Sequence, residues 1–187
     1  MKIEIVPYNS AWPTEFQIIA NRIRDAIGRK ALTIHHIGST SVPELVAKDI
    51  IDVQVGVADL SLRWKQRMEA NGFEYFEHYR DHCPPGMDVL AEQLDKRFFR
   101  ARGRAANVHI RVQGRFNYRY ALLFRDYLRT HADAANAYGA VKKELARHFR
   151  DDPDSYYGLK DPICDCLMSG ALEWAGSSNW IPGPSDA

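Results

Sequence analysis

A glycine-serine turn and an aspartate thirteen positions later are the residues best suited to chemistry in this chain. Residues 35–55 read HHIGSTSVPELVAKDIIDVQV, in which one apolar run ends at Gly38 and Ser39 and a second carries Asp52. A strand that ends in Gly-Ser and turns into a helix presents free backbone N–H groups, which attract an anion together with the helix dipole. A carboxylate on the next strand can hold a divalent cation against that anion. The spacing therefore predicts a phosphate-and-metal site, although a serine or threonine helix cap followed by a strand acid paired with an arginine has the same spacing.

Charged and hydroxyl side chains near these strands are candidates for the same site. Thr40 and Ser41 add hydroxyl groups at the turn, and Lys48 can neutralise a phosphate as a point charge. Arg100 lies in KRFFRARG and Arg111 in NVHIRVQG, two predicted strands in which arginines near aromatic residues can bind a nucleotide or nucleic acid. Two alternatives stay open, namely a solvated loop lysine and an exposed strand edge that charge protects from pairing.

Histidines on the predicted strands form another group of candidates. His36 and His109 can converge on the cleft, but a strand histidine is also commonly a hydrogen-bonded structural residue. Strand alternation places Asp52 and Gln54 on one face, so we expect both to share a cavity with His109.

A zinc site is a weaker possibility in the middle of the chain. His78, His82 and Cys83 have a spacing that a helical zinc site uses. The stretch FEYFEHY predicts a strand, however, and two prolines follow Cys83 directly. Because no second pair of ligands is in sight, the sequence favours a loop without zinc.

The composition indicates one globular domain. Of 187 residues, 45% are hydrophobic and 26% are charged, which is ordinary for a soluble protein. The net charge of +1 predicts no bulk attraction to nucleic acid or to a membrane. The opening stretch MKIEIVPYNSAWP lacks the apolar core of a signal peptide, and the three cysteines lack disulfide-framework spacing. We therefore expect a cytoplasmic protein.

Hydrophobic periodicity predicts an α+β fold with a helical C-terminal part. The predicted strands are KIEIVPY, ALTIHHI, DIIDVQVGV, FEYFEHY, KRFFRARG and NVHIRVQG. The predicted helices are NSAWPTEFQIIANRIRDAIG, DLSLRWKQRMEANGF, NYRYALLFRDYLRTH, DAANAYGAVKKELARHF and DPDSYYGLKDPICDCLMSGALEW. We expect one domain over residues 1–176 and a flexible Gly/Ser/Pro-rich tail over 177–187.

Several of these stretches resemble the GrpB family. Residues 35–55 look like its His-[Ile/Val]-Gly-Ser-Thr-[Ala/Ser]-Val-Pro-Gly-Leu-x-Ala-Lys-Pro-x-Ile-Asp motif. NVHIRV followed by FRDYLRTHADAANAYGAVKKELA looks like its histidine-containing strand and helix pair, and the Lys160 region looks like its C-terminal helix. The resemblance covers most of the chain and is most specific at 36–52 and 124–146. It implies a nucleotidyltransferase-like fold, similar to the catalytic domain of DNA polymerase beta, and a domain that also occurs fused to dephospho-CoA kinases.

The chain departs from the superfamily pattern of Gly-Ser, then Asp-x-[Asp/Glu], then a third acid on a later strand. Gly38, Ser39 and Asp52 match, but Gln54 replaces the second acid and the candidate third strand carries no acid. A two-metal site needs several anionic oxygens to hold about four positive charges. The resemblance therefore implies at most a single Mg²⁺, carried mainly by the nucleotide phosphates and touched by Asp52.

Two other departures lie within the family motif itself. Glu44 stands where a glycine is usual, and Asp49 stands where a proline is usual. If Glu44 lay close to a bound phosphate, its charge would repel the ligand.

Three functions follow from the resemblance and its departures. The first is an enzyme that transfers a nucleotidyl or phosphoryl group to an unknown small acceptor. The second is a degenerate relative that binds a nucleotide or phosphorylated metabolite without turnover, which Gln54 favours. The third is an accessory or protein-interaction module, as the kinase fusions imply. The phosphate- or charge-binding candidates are Gly38, Ser39, Thr40, Lys48, Arg100 and Arg111, with Asp52 as metal ligand, Asp52 and His109 as catalytic residues, and His36 and Gln54 in the cleft.

We expect weak, Mg²⁺-dependent binding of a nucleoside triphosphate rather than efficient turnover. Phosphate binding needs only the donors of the turn and nearby cations, whereas in-line transfer needs metal ions held on both sides of the reacting phosphorus. The sequence leaves enzymatic activity, the acceptor and the oligomeric state open.

Overall fold

The chain forms an α+β structure in a computed structural model that describes residues 2–77 and 79–187. The strands in these ranges are Thr33–Ile37 (β1), Ile51–Val57 (β2), Phe73–Phe76 (β3), Arg97–Ala101 (β4) and Ala106–Val112 (β5). The α-helices are Trp12–Ile27 (α1), Lys65–Ala70 (α2), Phe116–Thr130 (α3), Ala132–His148 (α4) and Pro153–Ser178 (α5). Strands and helices alternate first and three helices follow, which confirms the predicted fold class.

All five strands join one mixed sheet in the order β1-β2-β5-β4-β3. The central strands β2 and β5 are parallel, and the other neighbouring pairs are antiparallel. The register pairs Asp52 with Asn107 and Gln54 with His109. Because paired residues of neighbouring strands present their side chains to the same face, the polar positions of β2 and β5 lie side by side.

Helix α1 follows from its apolar spacing and its end residues. Its apolar residues recur at helical spacing and are buried, and they include Phe16, Ile19, Ile23 and Ile27. Pro13 lies in the first turn, where its missing N–H costs nothing. Gly28, with φ 64°, ends the helix, as predicted. The residue before the helix is Ala11, and no side chain caps this end.

Two predicted elements are shorter than the sequence pattern suggests. KIEIVPY forms an isolated bridge between Val6 and Ala47 instead of a strand. The helix predicted over DLSLRWKQRMEANGF is reduced to α2, and Asp59 accepts the Ser61 N–H at 2.8 Å in a turn that precedes it. His78, one of the candidate zinc ligands, lies outside the described residues.

Helices α3, α4 and α5 pack together on one side of the molecule. A buried cluster joins them to the loop after β1, and its members are Val42, Leu45, Leu128, Ala135 and Tyr138. This loop contains the Gly-Ser turn, so the helical part is held directly against the predicted site.

The segment after α5, expected as a flexible tail, contacts the edge strand β1 in this structure. The Ile34 N–H donates to Ser185 Oγ at 2.8 Å, and the His36 N–H donates to Asp186 Oδ2 at 2.9 Å. Asp186 also accepts a hydrogen bond from Arg125 Nη1 at 2.9 Å. None of the helices in the described ranges is both long enough and apolar enough to cross a membrane.

Candidate functional site

A cavity of about 640 Å³ opens between the sheet and the C-terminal helices. Its volume is within the range of small-molecule sites, about 300–1,000 Å³. Its described lining contains six lysine and arginine side chains, which are Lys48, Lys96, Arg100, Arg111, Lys142 and Lys160. It contains three carboxylates, which are Asp52, Asp81 and Asp161. The excess of positive charge makes this cavity suited to an anionic ligand.

The Gly-Ser turn lines the cavity next to Asp52. Ser39–Ser41 forms one turn of 3₁₀ helix directly after Gly38, so a short helix begins at the turn, as the sequence pattern predicts. Gly38 has φ 68°, and a Cβ at this position would overlap the Asp52 carboxylate. A glycine is thus required here both for its backbone conformation and for the close approach of β2.

Asp52 is a partly exposed carboxylate in the cavity, with 29% of its side chain accessible. Its Oδ1 accepts a hydrogen bond from Asn107 Nδ2 at 2.9 Å and lies 3.8 Å from His109 Nε2. Burial raises the pKa of Asp52, but polar contacts with His109 and Asn107 and the charge of Lys48 outweigh that effect and hold the pKa below its usual value. Asp52 is therefore ionised at neutral pH.

His109 faces Asp52 as a neutral imidazole. Burial and the ammonium of Lys96 lower the pKa of His109 to about 4. Lys96 Nζ lies 3.3 Å from His109 Nδ1 and is the donor in that contact, so the ring proton is on Nε2, toward Asp52. At neutral pH His109 can orient a polar ligand but carries no charge to stabilise an anion.

Arg111 lines the cavity, but its guanidinium forms an ion pair with Asp81. Its Nε and Nη2 donate to the two oxygens of Asp81 at 2.7 and 2.8 Å, and Lys96 Nζ donates to the same carboxylate at 2.6 Å. These partners hold the pKa of Asp81 far below its usual value although burial opposes them. The predicted phosphate-binding role of Arg111 therefore competes with a closed ion pair that the sequence analysis did not anticipate.

Gln54 and His36 lie outside this cavity, which corrects their predicted placement in the cleft. Gln54 is fully buried, donates from Nε2 to the carbonyl oxygen of Tyr118 at 3.1 Å and accepts from Arg111. His36 stacks on Phe16, with ring centroids 4.9 Å apart, and lines a separate, smaller pocket. Burial lowers the pKa of His36 to about 4, so it is a neutral structural histidine. Alternation assigned Gln54 to the correct sheet face, but its neighbours cover it.

The other predicted phosphate ligands line the cavity. Lys48 hydrogen-bonds the Tyr157 hydroxyl, and its Nζ lies 4.5 Å from the centroid of that ring. The Arg100 guanidinium lies 4.7 Å from the centroid of the Phe76 ring and is exposed at the rim. Thr40 is buried, and its hydroxyl is 2.9 Å from His36 Nε2, so this hydrogen bond holds the turn against β1.

Helix α4 supplies a site residue that the sequence analysis missed. Lys142 is 3% exposed, and its Nζ donates to Ser39 Oγ at 2.8 Å. A signal was present, since Lys142 falls on the buried stripe of α4 with Ala135, Tyr138, Gly139 and Ala146. A lysine at a core-facing helix position is unusual and indicates a function or a buried partner.

Both departures from the family motif have a local explanation. Glu44 has φ 63°, in the left-handed region that a glycine favours, so the backbone has kept the shape that the motif glycine takes. Its side chain is exposed and is not part of the described cavity lining, so the expected repulsion of a phosphate is not supported. Asp49 accepts a hydrogen bond from Trp12 Nε1 at 2.7 Å and pairs with Arg104, contacts that a proline could not make.

A magnesium ion, which the resemblance implies, would meet one available carboxylate. Asp81 is bound to Arg111 and Lys96, and Asp161 is bound to Lys160, which leaves Asp52 as the carboxylate in the described lining without a lysine or arginine partner. Over residues 2–77 and 79–187, no three His, Cys, Asp or Glu side chains group as metal ligands. Mg²⁺ commonly takes one or two carboxylates together with substrate phosphates. Asp52 therefore fits one ion that arrives with a ligand, and the residues do not fit a protein-held pair.

Comparison with protein families and curated proteins gives a consistent result. The family model described as GrpB protein matches residues 2–169. A Mycolicibacterium paratuberculosis protein named dephospho-CoA kinase is 34% identical over 96% of this chain and 48% of its own length. The UPF0157 protein YqkA of Bacillus subtilis is 34% identical over 95% of this chain and 50% of its own length. The chain thus spans about half the length of these curated relatives.

Solved structures with a similar fold support the same assignment. The conserved protein GrpB from Enterococcus faecalis superposes with a TM-score of 0.74 at 31% identity, over 91% of this chain and 98% of that chain. Cid1 in complex with the UTP analog UMPNPP has a TM-score of 0.52 at 16% identity, over 83% of this chain and 48% of that chain. The second likeness concerns the fold alone.

Proposed function

The chain belongs to the GrpB family and has a nucleotidyltransferase-like fold, and from this premise we propose that its cavity binds a nucleotide or a phosphorylated metabolite. The observation that carries the proposal is the position of Ser39 in a cavity where six lysine and arginine side chains face three carboxylates. Asp81 and Asp161 are already paired with three of the basic side chains. This leaves Lys48, Arg100 and Lys142 with Asp52 as the remaining carboxylate in the described lining. A phosphorylated ligand would supply the missing negative charge.

Aromatic side chains support a ligand that also carries a ring. The described lining contains several of them, including Tyr79, Phe98, Phe116, Tyr120 and Tyr157. Bases stack on such side chains without much selectivity, and each stacked base contributes about 1–3 kcal/mol. Arg100, beside Phe76 and Phe98, adds a cationic surface at the rim. This distribution favours a nucleotide over a small phosphorylated metabolite.

Group transfer is the further activity that the fold allows. In-line transfer needs cations on both sides of the reacting phosphorus, and among the described residues no group of three metal-ligating side chains includes Asp52. His109 is neutral near pH 7 and cannot replace a metal ion as a charge. We therefore propose Mg²⁺-assisted binding with slow nucleotidyl transfer at most.

Titration calorimetry with ATP, GTP, CTP and UTP, each with and without Mg²⁺, tests the proposal. We expect dissociation constants near the millimolar range, typical of weak ligands, and tighter binding with Mg²⁺. Asp52→Asn should remove the effect of Mg²⁺, whereas Asp151→Asn, an exposed surface carboxylate, should leave it unchanged. An absence of heat with all four nucleotides would contradict the proposal. Rapid pyrophosphate release that Asp52→Asn abolishes would show that transfer is the main activity.

A second candidate function is that of an accessory module. The observation in its favour is that this chain matches about half of a relative named dephospho-CoA kinase. If the role is accessory, the purified chain should co-elute with the other half of that relative in size-exclusion chromatography. Independent elution of the two proteins would count against this role.

A further inference from the structure

The end of the cavity beside Ser39 carries three lysines, and Asp161 is the carboxylate within salt-bridge distance of one of them among the described residues. Lys142 is buried and donates to Ser39 Oγ at 2.8 Å and to the carbonyl oxygen of Val46. In the part of the chain that the structure describes, no carboxylate lies within salt-bridge distance of its ammonium group. A buried ammonium without an acid is costly, so this position is prepared for an anion from outside the chain.

Lys48 and Lys160 both contact one aromatic ring at this end of the cavity. The Tyr157 ring has Lys48 Nζ at 4.5 Å and Lys160 Nζ at 5.9 Å from its centroid. The Tyr138 ring has Lys142 Nζ at 4.5 Å from its centroid. All three lysines line the same cavity, and Lys48 and Lys160 are near enough for their charges to act on Lys142.

Cys164 lies between Tyr138, which contacts Lys142, and Lys160. Its Sγ lies 3.4 Å from the Tyr138 hydroxyl and 3.7 Å from Lys160 Nζ. Asp161 pairs with Lys160 at 2.7 Å. With all three lysines protonated, these lysines and Asp161 together have a net charge of +2, which a phosphoryl dianion would neutralise.

We propose that Lys48, Lys142 and Lys160 form a second anion subsite, which binds a phosphoryl group directly and without a metal ion, and that Lys142 takes up a proton as the group binds. The inference rests on the proposed function, because it assigns one phosphoryl group of that ligand to this end of the cavity. Asp52, with a metal ion that arrives with the ligand, would serve a different phosphoryl group.

The uptake of a proton follows from the charges around Lys142. Burial lowers the pKa of Lys142 to about 7, which is the net result after Cys164 opposes the shift and the neighbouring Lys160 and Lys48 add to it. In the free protein Lys142 is therefore mostly neutral at pH 8 and mostly charged at pH 6. A dianion beside it favours the charged form and raises the pKa. Binding at pH 8 should thus take up close to one proton, and binding at pH 6 should take up much less.

Calorimetry with sodium sulfate and with inorganic phosphate, in the presence of a chelator, tests the subsite. The observed enthalpy is measured at pH 8 and pH 6 in buffers of different ionisation enthalpy, and its slope gives the number of protons taken up. Sulfate holds no exchangeable proton in this range, so any uptake with sulfate occurs on the protein. We expect both anions to bind wild-type protein, with uptake near one proton at pH 8.

Variants of α4 assign the effect to one side chain. Lys142→Met should weaken sulfate binding by about tenfold or more, since it removes a charged hydrogen bond, and should abolish proton uptake. Lys142→Arg should retain binding but lose the uptake, because arginine stays charged at both pH values. Lys143→Met is the matched control on the exposed side of the same helix and should behave as wild type. Cys164→Ser should keep the uptake, which excludes the thiol as its origin.

The outcomes separate this inference from the proposed function. Unchanged sulfate affinity in Lys142→Met would overturn the inference, and so would unchanged proton uptake in either Lys142→Met or Lys142→Arg, even if Mg²⁺-ATP binds wild-type protein normally. Failure of sulfate and phosphate to bind while Mg²⁺-ATP binds would also overturn it and leave the proposed function in place. Failure of Mg²⁺-ATP to bind at all would reject the proposed function itself. Circular dichroism of each variant establishes that it is folded.

Discussion

Gly38 is the residue on which the geometry of the site depends most directly. Its backbone is left-handed, and a Cβ there would overlap the Asp52 carboxylate. Gly114 is a matched control, since its φ is also positive, at 86°, and nothing lies within 4 Å of an added Cβ. We expect Gly114→Ala to cost about 1–2 kcal/mol from backbone strain alone.

Gly38→Ala should cost more than Gly114→Ala, because Asp52 must also move, and it should weaken nucleotide binding. Urea denaturation gives the two free energies of unfolding, and calorimetry gives the two affinities. Equal loss of stability and unchanged affinity in Gly38→Ala would show that the approach of Gly38 to Asp52 is irrelevant to the site.

Prediction of single residues from the sequence succeeded where strand alternation alone determined which face a side chain occupies. Asp52 and His109 were assigned to one cavity from alternation, and the register of β2 and β5 brings them together. The prediction that Gln54 lines the cavity failed, because a side chain on the correct face of the sheet can still be covered by its neighbours. Here Arg111 and the start of α3 cover it. Lys142 was missed because its relation to Ser39 joins residues 103 positions apart.

At the level of elements, residues 79–95 have little regular structure, and Asp81 anchors them to the sheet. Asp81 accepts from Arg111 and Lys96, whose side chains are each 7% exposed. Replacing Asp81 by Asn leaves two buried cations without their carboxylate. We expect a loss of about 3–5 kcal/mol, as is usual when one partner of a buried ion pair is removed. Asp95→Asn is the control, because Asp95 pairs with the exposed Arg80 and should cost no more than about 1 kcal/mol.

The same ion pair has a defined pH dependence. Because the pKa of Asp81 is lower in the folded than in the unfolded state, its stabilisation is complete above the unfolded value near 3.8 and is lost as pH falls below it. Stability measured from pH 6 to pH 2 should therefore decrease less steeply in Asp81→Asn than in wild type. Parallel curves for the two proteins would contradict the assignment of this acid sensitivity to Asp81.

Elements with a strong period and clear ends were predicted well. Helices α1, α3, α4 and α5 and strands β1, β2, β4 and β5 lie close to their predicted positions. KIEIVPY alternates as a strand does, yet tertiary packing gives it a single bridge to Ala47 instead of a neighbouring strand. Residues 80–95 carried no periodic signal, because their ion pairs and turns depend on partners elsewhere in the chain.

At the scale of the whole molecule, the segment after α5 closes an exposed sheet edge. β1 is at the end of the sheet, and an uncovered edge strand offers unpaired N–H and carbonyl groups to other chains. The amides of Ile34 and His36 donate to Ser185 and Asp186, so they point away from β2. The amide of His35 points in the opposite direction, toward β2, because successive amides alternate along a strand. Sequence composition predicted a flexible tail here, since it shows the glycines and prolines but not the edge that Ser185 and Asp186 contact.

Amide hydrogen exchange distinguishes a tail that covers β1 from one that is free. If the contacts persist in solution, deletion of residues 184–187 should accelerate exchange at Ile34 and His36 by about tenfold or more, since local opening then costs less free energy. Exchange at His35 should change little, because its partner is β2, and this amide serves as the control within the same strand. Rapid exchange at Ile34 and His36 already in the full chain would mean that the tail is mobile, as its composition suggests. Asp186→Asn should give an intermediate rate at His36 alone, because it weakens one acceptor and leaves the Ser185 contact with Ile34 in place.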